Sequence, residues 1–113
     1  MALNISGMRF SNGTAFNVTA RISTPSWNGT YNLYTLGIVP AGHVGHFAFS
    51  TVPELQPGIT LQARVETNLG GSIESSTHYT CDFNAPICAF FKIEGTGDAP
   101  ILVFNGAGPD TQL

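Results

Sequence analysis

The chain has 113 residues, 42 % of them apolar and 10 % charged, with seven acids against four bases and a net charge of −3. That length suits one domain, 1–113, with one core, and the charged fraction falls well below the roughly 25 % of an average soluble domain. Arg9, Arg21, Arg64 and Lys92 stand singly along the chain, which excludes the clustered cations that nucleic acid or an anionic membrane surface requires.

No run approaches the ~18–20 consecutive apolar residues of a membrane-spanning helix. Met1 to Ser6 lacks the basic flank and apolar stretch of a signal peptide. The polar residues are mostly Gly, Thr, Ser and Asn, a composition common in extracellular β-proteins.

Leu3 to Phe10 reads as a first strand. Leu3 and Ile5 share a face, Gly7 interrupts the alternation, and Met8 and Phe10 continue it in the other phase, as a β-bulge would. Asn12-Gly13-Thr14 then carries the strongest short hairpin signal, because Asn and Gly tolerate the positive φ of a type I′ turn. Ala15 to Ser23 is the cleanest strand, with Phe16, Val18, Ala20 and Ile22 on one side and Asn17, Thr19 and Arg21 on the other. A second Asn-Gly-Thr, Asn28 to Thr30, leads into Tyr31 to Val39, which is apolar on both faces. That doubly apolar pattern fits a central strand or one covered by a partner.

Pro40-Ala41-Gly42 turns the chain into His46 to Thr51, with Phe47 and Phe49 inward. Ile59 to Thr67 alternates well, placing Leu61, Ala63 and Val65 inside. Ile73 to Phe83 reads as a long strand, and Ile87 to Ile93 as its hairpin partner across Asn84-Ala85-Pro86. Gly95 to Asp98 turns into a last strand, Ile101 to Phe104, and 105–113 reads as a loosely held tail. About eight short strands with regular turn signals predict an all-β fold, an antiparallel β-sandwich or flattened barrel.

Few residues point to chemistry. Cys81 and Cys88 flank the tip of the expected hairpin, where opposed positions reach the spacing of a disulfide, so a bridge is expected there. His43, His46 and His78 are the only histidines, and His-x-x-His on a strand sends its rings to opposite faces. No metal or cofactor is therefore expected. The acids show no spacing that selects a catalytic pair, and no nucleophile elbow is present, so the reading is non-enzymatic.

Trp27, the sole tryptophan, sits beside the second Asn-Gly turn. With Asn28, Thr30, Tyr31 and Tyr34 it offers flat apolar rings among directional amide and hydroxyl groups, a combination that suits a sugar. The leading expectation is a lectin-like carbohydrate-binding module. The alternatives are an assembly subunit whose low-charge surface is buried in a homo-oligomer, and a small membrane-active β-toxin. Four Asn-x-Ser/Thr sequons, at Asn4, Asn12, Asn17 and Asn28, fall on expected turn tips or outward faces.

Overall fold

The phase change at Gly7 marks a change of sheet, not a bulge. The structure, a computed structural model, describes residues 3–25, 31–53 and 55–109. Its first strand is cut at Ser6 into β1 (Leu3–Ile5) and β2 (Gly7–Asn12), which lie in different sheets. At the break the Ser6 amide donates to the Ile87 carbonyl at 3.0 Å, and the Ser6 carbonyl accepts from Phe49 at 2.9 Å. Ile5, Met8 and Phe10 are all fully buried, because switching sheets at Ser6 turns both phases of the apolar pattern toward the same core.

The remaining strands are β3 (Val18–Pro25), β4 (Tyr31–Val39), β5 (Val44–Ala48), β6 (Thr60–Thr67), β7 (Ser72–Glu74), β8 (Tyr79–Cys81), β9 (Cys88–Gly95) and β10 (Pro100–Gly108). The larger sheet has six strands in the order β1-β8-β6-β3-β4, with β7 also on β6, and the smaller has the order β10-β9-β2-β5. The two sheets pack face to face without closing into a barrel, so the expected sandwich is present, with ten strands where about eight were counted. Both sheets are mixed. β1 runs parallel to β8 (Ile5 beside Cys81) and β2 parallel to β9 (Met8 beside Ala89). Two segments of chain thus run side by side and cross from one sheet to the other at the same corner.

That double crossing corrects the expected cysteine hairpin. Ile73 to Phe83 is not one strand, because β7 and β8 lie in turn along β6, and β8 pairs with β1 and β6 but not with β9. Cys81 therefore belongs to the larger sheet and Cys88 to the smaller, and both are buried with no disulfide between them. Burial, with the neighbouring Asp82 carboxylate, pushes the Cys81 thiol up to about 11, which keeps it protonated and unreactive at neutral pH.

Inside, the aromatic residues form a chain across the core. Phe10 stacks on Phe91 with ring centroids 5.3 Å apart, Phe47 tilts against Phe10 at 6.2 Å, and Tyr79 meets Phe91 edge-on at 5.8 Å. Each fully buried ring contributes about 1.5–3 kcal/mol through burial, with a further fraction from ring geometry. From the larger sheet, Val18, Ala20 and Ile22 of β3 and Leu61, Ala63 and Val65 of β6 close the core, all at or below 1 % exposure. These are the residues that the period-2 alternation assigns inward.

The doubly apolar β4 is an edge strand, which removes the central position, the first of the two readings of its pattern. Its pairing with β3 slips between Ala20 and Arg21, so that Gly37 and then Thr35 oppose them and Leu36 is the extra residue. The bulge shifts the inward phase. Tyr34 and Leu36 pack on the core before it and Val39 is buried after it, while Leu33 and Ile38 remain exposed. The last strand also runs further than expected. At Asn105-Gly106 a bulge, with Gly106 at φ 104°, lets β10 re-pair through Ala107 and Gly108, so residues 105–108 are strand and not tail.

Asn12-Gly13-Thr14 is a second correction. β2 and β3 lie in different sheets, so this segment is a crossover and not a hairpin tip. Asn12 is 2 % exposed. Its Nδ2 donates to the carbonyls of Phe16 (2.8 Å) and Val39 (3.0 Å), and its Oδ1 accepts from the Thr14 amide (3.0 Å) and hydroxyl (2.5 Å). The side chain ties the end of β2 to the end of β4, and its buried amide nitrogen is closed to glycosylation in the folded state. Asn12→Ala removes all four of these bonds, each worth about 0.5–1.5 kcal/mol net. The expected outcome is a loss of about 2–4 kcal/mol in urea unfolding with an unchanged m value. A loss below about 0.5 kcal/mol would contradict the clamp.

Candidate functional site

Trp27, Asn28 and Thr30 lie outside the described residues, as does the side chain of Tyr31. Tyr34 opposes the fully buried Ile22 and packs half-buried against the core. The histidines do not converge. His43 lies in the loop before β5 with Nδ1 2.9 Å from the Ala41 carbonyl, His46 is on β5 of the smaller sheet, and His78 precedes β8 of the larger. Among the described residues no three His, Cys, Asp or Glu side chains gather as metal ligands would.

The two outer faces of the sandwich differ in how their charges are used. On the larger sheet, register brings Arg21 opposite Arg64 and Arg64 opposite Glu74. Arg21 bonds Glu66 at 3.2 Å, Arg64 Nε bonds Glu66 at 2.7 Å, and Arg64 reaches Glu74 at 3.7 Å. The hydrogen bond from Arg64 is the main cause holding the Glu66 carboxyl below its ordinary range, against the opposing effect of burial and with Arg21 adding to it. Charges in this ladder already satisfy one another. The hollows beside it, of about 260 and 280 Å³, are lined by the paired Arg64 and Glu66 and by Thr19, Thr67 and Ile38.

The smaller sheet presents a different surface. In β2, Met8 and Phe10 point inward, which turns Arg9 and Ser11 outward. In β9, Ala89, Phe91 and Ile93 are buried, leaving Phe90 and Lys92 on the outer face. The parallel register sets Arg9 beside Phe90, and the antiparallel register with β5 sets His46 on the other side of Arg9. The Arg9 guanidinium carbon lies 3.8 Å from the Phe90 ring centroid. A guanidinium that stacks on a ring uses its flat face and keeps its N–H donors, which lie in the plane, for other partners.

On the Arg9 side of this pair lies a hollow of about 390 Å³ lined by Arg9, Ser11, Val44, His46 and Asn105. Asn105 enters because of the bulge in β10, which sets Asn105 and Gly106 against Phe90 in place of a single residue. Among the described residues no carboxylate lies within ion-pair distance of Arg9, while Lys92 at the rim reaches Glu94 at 3.8 Å. The hollow therefore combines one cation, a hydroxyl, an amide and an imidazole on a rigid sheet. Among the described residues its lining includes no carboxylate. The five described carboxylates hold cations or turns elsewhere: Glu66, Glu74 and Glu94 in ion pairs, Asp82 accepting from the Asn84 amide at 3.0 Å, and Asp98 from the Thr96 hydroxyl at 2.8 Å.

Sequence reasoning passes over this site. Alternation along β2 does put Arg9 outward, and an outward Phe90 breaks the polar pattern of β9. Nothing local says that residues 81 positions apart are neighbours. No family model matches the chain, and neither a curated protein nor a solved structure resembles it at a significant level.

Proposed function

We propose that the protein is a non-enzymatic carbohydrate-binding module and that its ligand occupies the hollow on the outer face of the smaller sheet. The observation that carries this reading is the gathering of Arg9, Ser11, His46 and Asn105 in one hollow of about 390 Å³, with Arg9 held over the ring of Phe90. A pyranose ring offers hydroxyls that take and give hydrogen bonds, and these side chains present both donors and acceptors. The hollow's size falls within the range of small-ligand sites, about 300–1,000 Å³. Its position on paired strands keeps the side chains preorganised, which lowers the entropic cost of binding. Assignment of every described carboxylate to a cation or a turn supports binding over acid–base catalysis.

A second reading, the assembly subunit, has its own observation. β10 is an edge strand without a single charged residue, and Ile101, Val103 and Phe104 on it are 53 %, 40 % and 46 % exposed. Natural edges usually carry charge or cover against further pairing. Light scattering after size exclusion decides it: a stable oligomer that Val103→Lys dissociates favours the assembly subunit, and a monomer at all concentrations removes it.

The carbohydrate reading is tested on a glycan array with the full chain. Binding to at least one glycan class is expected. The double variant Ser11→Ala, Asn105→Ala should lower that signal about tenfold, since each lost hydrogen bond is worth about 0.5–1.5 kcal/mol, with unchanged melting temperature. An array blank across all classes overturns the proposal.

A further inference from the structure

The structure assigns to Arg9 the recognition of a singly charged anionic group, a carboxylate or a sulfate ester, carried on the sugar. This inference rests on the carbohydrate reading of the same hollow. Four observations combine. Arg9 is stacked on Phe90 at 3.8 Å and has no carboxylate partner among the described residues. The other two arginines are spent in the ladder on the larger sheet. Arg9 is half-buried between β5 and β9, with His46 and Phe90 as its cross-strand neighbours. Its hollow is lined otherwise by neutral and imidazole groups.

The chemistry follows from the geometry of the guanidinium. A guanidinium held over a ring keeps its N–H donors at its edge, where two parallel N–H groups match two oxygens of one anionic group. Ser11 and Asn105, which line the same hollow, supply the hydrogen bonds that a sugar hydroxyl next to that group would use. A single charge fits better than a double one. A phosphate monoester would call for a second unspent cation or a nest of free backbone amides. Here Lys92 is close to Glu94, and β2 and β9, the two interior strands that carry Arg9, Ser11 and Phe90, spend their backbone N–H groups in the ladders of the sheet. The protein's net charge of −3 adds no general attraction for anions, so affinity depends on the local fork and not on the overall field.

The test is an NMR titration of the ¹⁵N-labelled full chain with three probes: sodium glucuronate, glucose 6-sulfate and methyl glucoside. Resonances of Ser11, Val44, His46 and Asn105 and the Arg9 side-chain Nε–H report the site. The expected result is that one or both acidic sugars shift these resonances with a dissociation constant about tenfold or more below that of methyl glucoside. Which acid binds tighter tells the carboxylate from the sulfate. Arg9→Gln should abolish the preference, bringing the acidic sugars to the same dissociation constant as methyl glucoside, and Arg9→Lys should restore only part of it, because an ammonium lacks the planar fork. Equal affinity of the acidic and neutral sugars at these resonances would overturn the anion inference while the carbohydrate reading stands. No shift with any probe, or shifts only elsewhere, would overturn both. Because Arg9 is on the outer face, the variants are expected to keep the wild-type melting temperature. If Arg9→Gln does unfold, Phe90→Leu removes the platform instead and should reduce the preference in the same direction.

Discussion

One register, that of β2 on β9, decides both the interior and the exterior of this protein. With Phe10 beside Phe91, the two rings stack at 5.3 Å in the core. The same alignment puts Arg9 beside Phe90 on the outside, 3.8 Å from its ring. Strand side chains alternate with a period of two, so a slip of one residue would exchange the two faces, driving a guanidinium into the core and Phe10 into solvent. A slip of that kind is excluded energetically by the core, and the core therefore positions the site. The surface pair needs no further scaffolding, since the stability of the aromatic chain holds it in place.

That register is imposed by the corner at Ser6. The segments β1–β2 and β8–β9 enter the corner side by side and leave it side by side, fixed in the larger sheet by Ile5 beside Cys81 and in the smaller by Met8 beside Ala89. Backbone bonds from Ser6 to Ile87 and from Asp82 to Ile5 lock the crossing on both sides. Asn12 closes the far end of β2 with four hydrogen bonds made by its buried side chain. Between these two anchors β2 has no freedom to slide, and Arg9 sits midway between them.

What the sequence reveals and what it hides divide along the range of the interactions. The alternation in β3 and β6 is local, and it correctly names Val18, Ala20, Ile22, Leu61, Ala63 and Val65 as core. Phase breaks are also visible, at Gly7 and around Leu36-Gly37, but a break does not say whether the strand bulges, as β4 does, or leaves its sheet, as the first strand does. The same ambiguity misplaces Asn12. Asn-Gly reads as a tight turn because turns are the commoner use of that pair, yet here Asn12 is a buried clamp between sheets. Cys81 and Cys88 look like hairpin partners only while Ile73 to Phe83 is taken as one strand. Arg9 and Phe90 are legible singly as outward residues and invisible as a pair, since their contact is made by a parallel register between strands far apart in the chain.

The claim that one register serves core and site has a direct measurement in the ring-current shift of Arg9. If Arg9 lies flat on Phe90 as described, its δ-methylene protons shift upfield from their ordinary position and show nuclear Overhauser contacts to the Phe90 ring. Phe90→Leu returns them to ordinary values while the core Phe10–Phe91 contacts persist. Ordinary Arg9 shifts in the wild-type protein, with Phe10–Phe91 contacts intact, would contradict the account by showing that the core register does not carry the surface pair with it.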